Sequence, residues 1–64
     1  MPSIIELNDI FQRILFGEID FANKDDRQFM VSFSQLWLSS RKLEQKKVLL
    51  ASAIKAIRLY TPSH

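Results

Sequence analysis

The apolar positions of the chain fall first into a helical rhythm. Ile4, Leu7, Phe11 and Ile14 recur at steps of three and four, and Ile10 and Leu15 widen the stripe. That spacing lays apolar side chains along one face of an α-helix. Ser3 stands just before the run and Glu6 follows three residues on, the reciprocal pattern that satisfies free backbone donors at a helix start. Gly17 comes where a left-handed residue closes a helix without a steric penalty. A first helix is predicted over about residues 3–16.

The stretch GEIDFANK (17–24) loses the rhythm and reads as a connection. Ile19 and Phe21 alternate with Glu18 and Asp20, so both apolar side chains are expected to fold down onto a core. Asn23 is placed to cap the next helix, with Asp25 and Asp26 in its first turn beside the positive end of the helix dipole. As a metal-binding pair the two acids are poorly arranged, because adjacent helical residues point about 100° apart.

From Asp25 to Tyr60 there is neither Gly nor Pro. Phe29, Phe33, Leu36, Ser40, Leu43, Lys47, Leu50, Ile54 and Ile57 follow one another at alternating steps of four and three, a heptad seam with two polar members, Ser40 and Lys47. Met30, Trp37 and Ala51 broaden it. From Phe33 to Ile57 the seam drifts by about 120° on a straight helix, against roughly 70° for a strict heptad repeat. The sign is that of a left-handed supercoil, and the pattern predicts one helix over about 25–60 with a tail at 61–64.

Such a helix is about 54 Å long and the first about 21 Å, so a helical hairpin leaves the seam from Leu43 to Ile57 uncovered. The predicted fold is therefore all-α: a short N-terminal helix plus a long C-terminal helix, dimerising into an antiparallel four-helix bundle. The alternative is a three-helix bundle with a break at Ser39-Ser40, since serine is a good helix cap and a middling interior residue. In that arrangement Phe11, Phe29, Phe33, Trp37, Leu43, Leu50 and Ile54 meet in one core.

Composition narrows the choice further. Sixty-four residues, 47% of them hydrophobic, make one small domain with enough apolar content to pack. No cysteine is present, so neither a disulfide nor a thiolate metal site supports it. Gly17 is the only glycine and the prolines are Pro2 and Pro62, too few turn signals for a β protein. The start lacks the basic and apolar regions of a signal peptide. The apolar run from Val48 to Ile57 is interrupted by Ser52 and Lys55 and is too short to span a membrane. A soluble, cytoplasmic protein is expected.

Charge is unevenly divided. Residues 1–32 carry Glu6, Asp9, Glu18, Asp20, Asp25 and Asp26 against Arg13, Lys24 and Arg27. Residues 33–64 carry Glu44 against Arg41, Lys42, Lys46, Lys47, Lys55 and Arg58. Those six bases are the candidate nucleic-acid contacts, but on one long helix they surround the axis instead of forming a stripe. No helix-turn-helix glycine, zinc pattern or RNA-binding aromatic signature accompanies them. A further reading has the basic half of one chain meet the acidic half of a second.

Nothing in the sequence carries catalysis. The only histidine is His64, and there is no phosphate-cradling loop, metal motif or base to activate a serine. No enzyme activity, cofactor, metal or small-molecule substrate is expected. The pattern points to a small helical adaptor or regulator that works by protein–protein interaction, as a homodimer and with a larger protein as partner. Its candidate interface is Phe33, Leu36, Trp37, Leu43, Leu50, Ile54 and Ile57, with Trp37 singled out because exposed tryptophans are frequent binding anchors. The alternative is a nucleic-acid-binding regulator using the basic half.

Overall fold

Helix α1 (Ile4–Leu15) begins where Ser3, in extended conformation, accepts the Glu6 backbone N–H at 3.2 Å. The Ser3 hydroxyl in turn donates to Glu6 Oε1 at 3.4 Å. At the other end Gly17 takes φ +77, so its N–H reaches the Ile14 carbonyl at 3.1 Å and the Glu18 N–H reaches the Arg13 carbonyl at 2.9 Å. This is the paired closure of a Schellman motif, which only glycine adopts without strain. The computed structural model describes residues 3–60, which form α1, α2 (Lys24–Ser39) and α3 (Leu43–Tyr60). The expected tail at 61–64 lies outside the described residues.

Helix α2 starts as its sequence predicts. Asn23 Oδ1 accepts the Asp26 N–H at 2.8 Å, and Asn23 Nδ2 donates to Asp26 Oδ2 at 3.2 Å. Asp25 and Asp26 stand in the first turn, so the acidic pair belongs to the helix start.

The single helix over 25–60 is corrected: the chain breaks at residues 40–42, and the three-helix alternative fits. The serines act at the end of α2, not as a cap on α3. Ser39 and Ser40 both turn their hydroxyls back onto the Leu36 carbonyl, at 3.0 and 2.9 Å. Ser40 has φ −81 and ψ 90, and its N–H bonds to the Trp37 carbonyl, three residues back, at 3.2 Å. Helix α3 then opens on the Lys42 carbonyl, which accepts from Gln45 and Lys46. Hydroxyls that compete for a backbone carbonyl are the physical reason serine weakens helix interiors.

The seam is corrected with it. The residues of α2 that face the core are Met30, Ser34 and Trp37, one position away from Phe29, Phe33 and Leu36. Ser34 is fully buried because its hydroxyl donates to the Met30 carbonyl at 2.6 Å, so it needs no other partner. Leu7, Phe11 and Ile14 come from α1, and Ala53 and Ala56 from α3. Ile19 and Phe21 pack down from the connection, as expected. Phe29 and Leu43, assigned to the core in the three-helix alternative, are exposed, while Phe33, Leu50 and Ile54 are half-buried around it.

Helices α1 and α2 pack most extensively, α3 lies mainly on α2, and α1 meets α3 least. The radius of gyration, 11.0 Å, is near the roughly 10.7 Å of a compact chain of this length. The core closes within one chain.

Candidate protein-interaction surface

Helix α3 is apolar on more than one side, and the side chains it buries are small. Ala53 and Ala56 are its only buried residues. Its larger aliphatic side chains sit around that narrow contact: Leu49, Leu50, Ile54 and Ile57 are half-buried, whereas Leu43, Val48 and Leu59 are 55%, 82% and 64% exposed. At 100° per residue, Val48 and Leu59 fall within about 20° of each other, on the flank of α3 next to α2. Alanine at the contact lets α3 lie close to α2, with Leu49, Leu50, Ile54 and Ile57 packed around it and Leu43, Val48 and Leu59 left exposed.

Between the N-terminal half of α2 and the C-terminal half of α3 runs a shallow apolar groove. Phe29, Leu59 and Tyr60 stand toward the C-terminal end of α3, Phe33 and Ala56 lie in the middle, and Ser52 and Lys55 complete the lining. The Phe29 and Tyr60 rings are 4.9 Å apart, Phe29 and Phe33 6.2 Å, Phe33 and Phe11 5.6 Å, and Phe11 and Trp37 5.4 Å. A continuous aromatic chain thus runs from the surface to the core, giving the groove a rigid floor. Val48 is one helical turn before Ser52 and Leu36 one turn after Phe33, and both are exposed.

Of the seven interface residues expected from the sequence, Leu36 and Leu43 are exposed on either side of the break, at 50% and 55%. Phe33, Leu50, Ile54 and Ile57 are half-buried against the core. Trp37, a core member in the three-helix alternative, is the largest fully buried side chain, so its place in the candidate interface is corrected. Its indole N–H donates to Asn8 Oδ1 at 2.7 Å, and the Lys46 ammonium donates to the same oxygen at 2.8 Å while standing 5.5 Å from the Trp37 ring centre. One side chain from each helix meets at this point.

Lys46 is therefore held by the fold. Arg41 and Lys42 are exposed in the connection, and Lys47, Lys55 and Arg58 are exposed on α3. Sequence reasoning missed Val48, Leu59 and Phe29 as surface residues because it followed a single seam. The presence of apolar residues on a second side of the same helix was the available signal. Asn8 carried no signal, since its partners lie 29 and 38 residues away.

Among the described residues no group of three His, Asp or Glu side chains converges as a metal site, and no helix is long and apolar enough to cross a membrane. What the surface offers is apolar area: full burial of Val48 and Leu59 is worth roughly 1.5–3 kcal/mol each. Set against known proteins, the chain matches no family model, no curated protein and no solved structure.

Proposed function

We propose that the protein is a small, non-enzymatic helical adaptor or regulator, cytoplasmic, that works by protein–protein interaction, both with itself as a homodimer and with a larger protein. The observation that carries the reading is the exposure of Val48 and Leu59, 82% and 64%, on a helix whose fully buried residues are alanines. Contiguous exposed apolar surface with a polar rim is the usual mark of an interaction site. The groove edged by Phe29, Leu59 and Tyr60 suits an apolar helix face better than a polar substrate. For the homodimer, supporting residues are Leu36 and Leu43, two large exposed side chains flanking the break.

Light scattering over a dilution series tests the homodimer, with denaturant stability measured at the same concentrations. A dimer predicts a mass of twice the 7.5 kDa chain at high concentration and stability that rises with concentration. A chain that stays at its monomer mass, equally stable at every concentration, rules it out.

A second reading, a nucleic-acid-binding regulator, is favoured by one observation. Lys47, Lys55 and Arg58 are all exposed and lie within about 80° on α3. Retention on DNA and RNA columns decides it. Binding at low salt that is weakened by Lys47→Glu with Arg58→Glu supports this reading; absence of binding removes it.

A further inference from the structure

We infer that the break at residues 40–42 is a hinge through which two copies of the chain exchange α3, with α2 and α3 of each copy joined into one helix. The inference rests on the proposed homodimer and names its mode.

Three observations carry it. First, the break is local. In an unbroken α-helix the Leu36 carbonyl accepts the Ser40 N–H; here the Ser39 and Ser40 hydroxyls occupy it, and that N–H is turned to the Trp37 carbonyl. Residues 40–42 are Ser, Arg and Lys, with neither Gly nor Pro to forbid helical geometry.

Second, a short apolar stripe spans the break, even though the buried registers of α2 (Met30, Ser34, Trp37) and α3 (Ala53, Ala56) do not share one phase. Leu36, Ser40 and Leu43 keep steps of four and three, so straightening places Leu36 and Leu43 on one stripe. Both are about half exposed in the single chain. Across a twofold axis at the hinge, the stripes of two straightened helices face each other and cover both leucines.

Third, α3 is held by contacts that a second copy reproduces without change. Its anchors are Ala53 and Ala56 in the core, Lys46 on Asn8, and Tyr60 against Phe29. Each involves α1 or α2 on one side and α3 on the other, so exchange conserves them all. Only the hinge and the newly covered stripe differ between the two forms, which is the condition under which swapping is cheap.

The experiment compares the full wild-type chain with hinge variants by light scattering after long incubation at millimolar concentration. Ser39→Ala with Ser40→Ala removes the competing hydroxyls and supplies the best helix former. It is expected to raise the association constant by about tenfold or more, counting both chains. Insertion of a glycine tripeptide between Ser40 and Arg41 is expected to leave only monomer. The swapped dimer should be long, with a continuous helix of about 55 Å visible by X-ray scattering. It should also survive Val48→Glu, because that side chain is 82% exposed. A dimer indifferent to both hinge variants overturns the swap and leaves the homodimer standing by another surface. An alanine variant that stays monomeric at millimolar concentration overturns the swap outright.

Discussion

Trp37 donates its indole N–H to Asn8 across 2.7 Å, tying the middle of α2 to α1 at the point where Lys46 of α3 also arrives. A single amide oxygen thus accepts from both other helices. Asn8→Ala removes this acceptor and strands a buried indole N–H and a partly buried ammonium. It is expected to cost about 2–3 kcal/mol in urea unfolding followed by Trp37 fluorescence. Lys46→Met, which leaves the indole bond intact, should cost about half as much. Equal stability of Asn8→Ala and wild type contradicts the node.

The buried alanines of α3 make the opposite of a hydrophobicity forecast. Ala53→Leu adds apolar volume to a fully buried position and is expected to destabilise by about 1–3 kcal/mol through overpacking. Leu59→Ala removes apolar volume from an exposed position and should change stability by less than about 0.5 kcal/mol. Thermal unfolding of the two variants side by side gives the ordering, and a reversed order means that α3 is docked by a different face.

Gly17 holds φ +77 with nothing within 4 Å of an added Cβ, so its role is conformational and not steric. Gly17→Ala is expected to cost about 1–2 kcal/mol, the penalty of a left-handed residue with a side chain. Calorimetry reads it directly, and an unchanged melting temperature shows that the closure of α1 tolerates another geometry.

The local signals of the chain were legible because each acts within a turn of its own position. Ser3 and Gly17 bound the first helix, and Asn23 with its acidic neighbours opens the second. The break after Ser39 was harder, because phase continuity across Ser40 resembles a continuous helix. Its trace lay in the drift of the seam, about 120° where roughly 70° suits a strict repeat. The core register of α2 was hidden by residue type. Ser34 looks polar until its hydroxyl is seen on the Met30 carbonyl, and Ala53 and Ala56 look too small to organise a contact. The Asn8 node was not legible at all, since tertiary packing alone brings its three members together.

The most direct test of the outward face of α3 is co-purification from the native source with wild type and with Val48→Glu plus Leu59→Glu. Both residues are exposed, so the double variant is expected to fold with unchanged circular dichroism and nearly unchanged stability. If that face is the docking surface, a protein recovered with the wild-type chain is lost with the folded variant. Recovery of the same protein at the same yield with both contradicts it.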